Sequence, residues 1–195
     1  LTVKTEIMEV AEKLFSRFGF EKISMDRIAR ESKHAKGSLY YHFSSKKELI
    51  NSIIAKEIDG LRSKLLEILN DSSISDLEKI RTYIYARMSL INESFSYHKA
   101  LKDRVLKDHN KETISDFREQ HDSFINWEKE QLTAVVVNGK NKGAFPSSIN
   151  AVSFAEATLM YLTSLEIPFF IFDRYEKSLV TFKYSTEEFI LKSLK

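Results

Sequence analysis

Apolar residues in this 195-residue chain recur at intervals of three, four, seven and eight, and little interrupts them. Five glycines and two prolines are its only strong breakers, and β-branched runs with a period of two are absent. Such spacing lays an apolar stripe along one side of an α-helix, so the chain reads as all-α. The first stripe, Ile7, Ala11, Leu14, Phe15 and Phe18, runs up to Gly19, which suits the position just past a helix C-terminus. Three later serines have a glutamate three residues on: Ser45 with Glu48, Ser75 with Glu78, and Ser185 with Glu188. Each fits a capping box, in which the two side chains satisfy amides that a first helical turn leaves open. The pattern predicts helices over 3–18, 25–31, 36–42, 46–69, 76–94, 97–107, 111–138, 148–167 and 186–194, with another at 174–182. Pro168 is expected to end or kink the helix before it.

Ser44-Ser45 separates three short helices from a long one, which divides the chain into a small head, 1–45, and a larger helical domain, 46–195. Gly139, Gly143 and Pro146 mark the one clear loop of turn residues. An apolar share of 43% with 30% charged residues supports a packed core rather than a disordered chain. The absence of cysteine excludes disulfides, thiolate metal sites and a cysteine nucleophile, and fits a cytoplasmic location. Leu1 to Glu6 shows no secretory pattern. The apolar stretch from Leu159 to Phe172 contains Glu166 and Pro168 and falls short of the roughly 20 residues of a bilayer span, so no membrane association is expected.

The net charge of +2 is unevenly spread. Residues 27–47 hold six lysines and arginines against Glu31 alone, a local +5, and the rest of the chain carries −3. A solvated charged face and a footprint for phosphates both fit that number. The residues around it discriminate further. Ser24 caps the helix at 25–31, with Asp26 in its first turn. After a four-residue break, Ser32 to Ala35, the helix at 36–42 points Leu39 and Phe43 one way. Lys36, Gly37, Ser38, Tyr40, Tyr41 and His42 cover the rest of its surface with donors and rings. That is a helix-turn-helix whose second helix suits a DNA major groove. Gly37 permits close approach, and Lys46 at the next helix start offers a phosphate site.

The strings A-x-x-L-F-x-x-F-G-F, I-S-M-x-x-I-A and K-G-S-L-Y-Y-H-F-x-x-K-x-x-L within residues 11–49 resemble the DNA-binding head of TetR/AcrR-type regulators. The resemblance covers about 45 residues, near a quarter of the chain. It implies a homodimeric transcriptional repressor on a palindromic double-stranded DNA operator, released when a small, largely apolar effector enters the larger domain. It implies DNA contacts at Ser24, Lys36, Gly37, Ser38, Tyr40, His42 and Lys46, with Tyr40 and Lys46 on phosphates and Lys36 and Ser38 nearest the bases. It also implies that the helix from Lys46 tilts on effector binding and that a four-helix bundle joins two copies through 148–167 and 186–194. On those segments Ala151, Phe154, Ala155, Thr158, Leu159 and Leu162 form one stripe, and Phe189, Ile190 and Leu194 another.

The turn departs from the family pattern of small residue, glycine, apolar residue and hydroxyl, since this chain has Ser32-Lys33-His34-Ala35. A left-handed Lys33 would cost about 1–2 kcal/mol and a missing cap at Ala35 about 1 kcal/mol. Drift in a tolerant turn, added phosphate contacts from Lys33 and His34, and a loosened head are three readings of that change. A helical adaptor that binds a protein partner without specific DNA binding is the alternative function.

Candidate effector contacts in the larger domain are Tyr83, Arg87, Met88, Phe117, His121, Phe124, Trp127, Phe154 and Tyr161. Ordinary core is the competing role for each apolar one, while Arg87 and His121 could orient a polar group. Enzymatic readings lack a signature. His98, His109 and His121 do not have metal-helix spacing, and there is no glycine-rich phosphate loop, G-x-S-x-G elbow or pair of Glu-x-x-His motifs. No cofactor, metal or catalysis is expected.

Overall fold

The computed structural model describes residues 2–94 and 111–195, with the helical backbone alone for 111–117. The predicted helix at 97–107 lies outside the described residues. Two compact units are present, one holding the chain up to Asp59 and the other holding 60–94 and 118–195. The described residues form helices and turns without strands.

In the first unit α1 spans Val3–Phe18, α2 Met25–Glu31 and α3 Lys36–His42. Thr2 and Ser24 cap α1 and α2 by accepting the amides of Thr5 and Arg27. Gly19 closes α1 at φ 85°, its amide donating to the Phe15 carbonyl at 2.9 Å. That positive φ is where glycine costs least. Ile7, Ala11, Phe15, Ile28, Leu39 and Phe43 are at most 1% exposed and form the small core.

The long helix α4, Lys46–Asn70, begins inside this unit. Ser45 caps it through the Glu48 amide, while the Glu48 carboxylate turns back onto the amide and hydroxyl of Ser44. Those bonds, the hydroxyl's first, hold the Glu48 carboxyl below its ordinary pKa. The Lys46 ammonium donates to the carbonyls of Phe20 and Ile23, and Lys56 lies 4.0 Å from Glu9. These ties hold the first turns of α4 within the unit that runs to Asp59.

In the second unit α5 spans Asp76–Glu93, α7 Ala151–Glu166 and α8 Tyr175–Ser185, and α6, Lys111–Asn141, belongs to it from residue 118 onward. Ser75 and Asn150 cap α5 and α7. Gly139, expected in the loop, lies inside α6, and a Cβ there would overlap the Phe145 ring. It is a packing glycine rather than a turn residue. Pro168 does end α7, and a π-helical turn, Ile167–Ile171, follows.

The predicted start at 186 is corrected. Ser185 has helical φ and ψ of −62° and −38° and makes no side-chain cap, so the chain runs on from α8 into the turns Thr186–Ile190 and Leu191–Leu194. No glycine or proline interrupts residues 175–194, and Glu188 instead pairs with Lys192 one turn later. Arg81 of α5 holds this segment by donating to both carboxylate oxygens of Glu187 at 2.8 and 3.1 Å.

The docking stripe expected for a second copy is also corrected. Ala151, Phe154, Ala155, Thr158, Leu159, Leu162 and Leu194 are buried within the single chain. Periodicity found the apolar face, but the chain's own core uses it. The outward large apolar residues of these segments are Val152, Met160, Ile167 and Phe189, with Met160 and Phe189 both 71% exposed, and α8 between them adds Val180 and Tyr184.

The stretch Ala151–Ile171, 21 residues containing an 18-residue window of mean hydropathy 1.2, is long and apolar enough to cross a membrane by length and composition. It extends further than the Leu159–Phe172 run suggests. Its Glu166 is 2% exposed and paired with Arg87, the setting of a core helix.

Candidate nucleic-acid interface

The face of α3 follows from its seven residues. Leu39 and Phe43 are wholly buried, which turns Lys36, Gly37, Tyr40 and Tyr41 outward. Tyr40 is 43% and Tyr41 85% exposed, and Ser38 and His42 lie half-buried at the edges. Gly37 has no neighbour within reach of an added Cβ, so space inside the chain does not require glycine there.

Ser24, Lys36, Tyr40 and Lys46 come together around one open cleft of about 480 Å³, whose lining also includes Lys22 and Asp26. Gly37, Ser38, Tyr41 and His42 lie on the same short helix outside that lining. Two cations differ from their expected poses. The Lys36 ammonium pairs with Asp26 at 2.8 and 3.0 Å, and that hydrogen bond raises its pKa above the ordinary lysine value. The Lys46 ammonium spends two of its three donors on the Phe20 and Ile23 carbonyls and sits 4.3 Å from the Phe20 ring centre.

Lys33 adopts φ 58°, the left-handed region that its position in the turn suggested, and Ala35 starts α3 without a side-chain cap. His34 lies against α1, with Nε2 3.0 Å from Glu6 Oε2, while its amide bonds to the Ala29 carbonyl. A partner 28 residues away gave no signal in the local pattern. Lys33→Gly is expected to stabilise the head by roughly 1 kcal/mol by removing left-handed strain. Ala35→Ser should add about 1 kcal/mol through a new cap. Urea unfolding of each variant and of the pair measures both effects, and an unchanged midpoint in both would discount the strained-turn account.

The effector candidates divide into groups. Tyr83, Arg87, Met88, His121 and Phe124 surround a buried ionic network with two carboxylates that sequence reading missed, Glu128 and Glu166. Arg87 donates through Nε to Glu128 at 2.7 Å and through Nη2 to Glu166 at 3.0 Å. The Tyr83 hydroxyl also donates to Glu128, and His121 Nε2 lies 3.5 Å from Glu166. The Arg87 guanidinium lies 5.8 Å from the Phe124 ring centre, and its Nη1 lies 3.6 Å from the Met88 sulfur.

Burial works against each charge, yet the two carboxylates keep Arg87 a cation. Burial likewise pushes the Glu166 carboxyl up, but His121 and Arg87 outweigh it and hold it below 4.5. Burial first, then the charge of Glu128, pushes the Tyr83 hydroxyl well up. A signal for both carboxylates was present. Glu128 follows His121 by seven residues and Phe124 by four, and Glu166 follows Leu162 by four, all helical repeats of a buried face.

Trp127 stacks on Phe124 with ring centres 5.9 Å apart. Tyr161 belongs to a separate aromatic group and stacks on Phe182. Phe154 is 9% exposed in the core, and the Phe117 side chain lies outside the described residues.

Residues 7–53 match the family described as bacterial regulatory proteins, tetR family. A helix-turn-helix-type transcriptional regulator of Staphylococcus aureus strain USA300 is 38% identical over 68 residues, which are 35% of this chain and 37% of that protein. The match therefore spans just over a third of the relative's length. Among solved structures, a TetR transcription regulator from Haloarcula marismortui superposes with a TM-score of 0.76 at 15% identity, covering 99% of this chain and 98% of that one. The regulator FadR from Bacillus subtilis in complex with stearoyl-CoA gives 0.69 at 15% identity, covering 98% and 99%. At such identities the likeness is one of fold.

Proposed function

We propose that this chain, whose residues 7–53 match the tetR family, is a DNA-binding transcription regulator of that type, a homodimeric repressor released from a palindromic operator by a small, largely apolar effector. One observation carries the reading. The tetR-matching segment contains α3, which buries Leu39 just before the buried Phe43 and turns Lys36, Gly37 and Tyr40 outward, and Lys36 and Tyr40 line a cleft with Ser24. Two such helices about one DNA turn apart, roughly 34 Å, would engage adjacent major grooves of a palindrome. Ser24 and Tyr40 serve phosphates, Lys36 and Ser38 face base edges, and Tyr41 and His42 flank them. Lys46 fixes the connection before α2 and keeps one ammonium donor for a phosphate.

The second copy docks through 148–167 and 186–194, where Met160 and Phe189 are exposed apolar residues. The effector enters the larger helical unit near Arg87 and His121. A long acyl chain, as in the ligand of the Bacillus subtilis FadR structure, is one molecule of that apolar class. A repressor of this kind acts in the cytoplasm and performs no catalysis.

Titrating DNA from upstream of its own gene at rising salt tests the function. Six to ten phosphate contacts predict a loss of about 10³–10⁵ in affinity between roughly 50 and 200 mM salt. Tyr40→Ala should weaken binding to that DNA with little change in the salt slope, because a neutral hydroxyl neutralises no phosphate. No binding above a random duplex at low salt would overturn the repressor reading and favour the adaptor.

A further inference from the structure

Of the two carboxylates that line the cleft, Glu21 and Asp26, Asp26 pairs with a proposed DNA-facing cation. It stands in the first turn of α2, with its oxygens 2.8 and 3.0 Å from the Lys36 ammonium at the first position of α3. The two side chains remain 63% and 61% exposed, so the pair sits at the surface rather than in the core. Exposed ion pairs of this kind contribute little to stability. Placing a negative charge beside a segment of net +5 weakens attraction to phosphates.

We propose that Asp26 is a specificity-determining residue of the DNA interface, which aims the Lys36 ammonium at a base edge and penalises binding through phosphates alone. This rests on the reading of α3 as the groove-facing helix. A lysine on a flexible four-carbon stem otherwise swings to the nearest phosphate. Held by Asp26, its charge is largely spent, so random DNA gains one phosphate contact fewer.

The major groove can engage both members of the pair at once. Guanine O6 and N7 accept from an ammonium, and the cytosine N4 amino group donates to a carboxylate. A phosphate has only acceptors and repels Asp26. The pair therefore fits a site where guanine and cytosine edges lie side by side, and it rejects a backbone that offers negative charge alone.

The test compares the intact wild-type chain with Asp26→Asn, which keeps the shape and removes the charge. Each is titrated with the upstream fragment and with a random duplex of equal length, from about 50 to 200 mM salt. Asp26→Asn is expected to bind the random duplex about 5-fold more tightly, with a salt slope steeper by roughly one phosphate per protomer. Its preference for the upstream fragment should fall about tenfold, within the range of one lost base contact.

In a Lys36→Met background the steeper slope should vanish, because Asp26 acts through that ammonium. Thermal melting within a few degrees of wild type verifies that the variants are folded. Equal changes on both duplexes, an unchanged random-duplex affinity, or a slope increase that survives Lys36→Met would each overturn the proposal. A wild type that binds neither duplex at low salt overturns the DNA-binding reading and this proposal together. A steeply salt-dependent wild type with an indifferent Asp26→Asn overturns the proposal alone.

Discussion

Arg87→Met is expected to destabilise the larger helical unit by about 3–5 kcal/mol, enough to unfold a marginal domain. The guanidinium is wholly buried and pairs with two carboxylates that are themselves 3% exposed or less. Methionine fills much of the volume but leaves Glu128 and Glu166 without their shared cation. The loss should come from stranded charge rather than from a cavity. A triple variant, Arg87→Met with Glu128→Gln and Glu166→Gln, therefore recovers most of the stability that the single variant loses. Urea unfolding followed by circular dichroism distinguishes the two, and a triple variant no more stable than the single one would refute the stranded-charge account.

The same network predicts acid sensitivity. Glu166 has a folded-state pKa below 4.5, so its contribution is fully present above the unfolded value and is lost as pH falls through the folded one. The stability of the wild type should therefore fall with acid below about pH 4.5, and Glu166→Gln should flatten that dependence.

Leu39→Ala is expected to abolish DNA binding at 25 °C without touching any residue proposed to meet DNA. α3 has seven residues, well below the roughly 12–15 that an isolated helix needs to be even marginal in water. It persists because Leu39 and Phe43 are buried to 0% exposure in the head. Truncating Leu39 costs about 2–5 kcal/mol, a large share of what a small unit has to spare. Leu39→Met conserves volume, should cost less than about 1.5 kcal/mol and should retain binding. Anisotropy titration with the upstream fragment reads both variants. Wild-type affinity in Leu39→Ala would show that other contacts hold α3.

Most helices were legible because their signals are local. Ser24, Gly19 and Ser75 act within four residues of themselves, and α1, α2 and α3 have the bounds that the pattern predicts. The tetR-like strings likewise lie within one continuous stretch of chain. Pro168 announced the end of α7 for the same reason, since its missing amide acts on its own helix.

The misreadings arose where a residue's role depends on what lies opposite it. The Ser185-Glu188 signal resembled a cap, yet no breaker preceded it and Glu188 found Lys192 instead. Gly139 resembled a turn until the Phe145 ring was laid over it. Ala155 and Leu159 formed a stripe that could face either a partner or the chain's own core, and periodicity cannot distinguish the two.

By itself the sequence determined the all-helical class, the helix-turn-helix and its outward residues, since helical period, capping and chain order are properties of neighbours. Only the tertiary structure decided which cations are committed. It turned Lys46 onto two carbonyls, paired Lys36 with Asp26 ten residues away, and enclosed Arg87 between Glu128 and Glu166. An ion pair depends on distances between helices, and those distances are set by packing rather than by spacing along the chain.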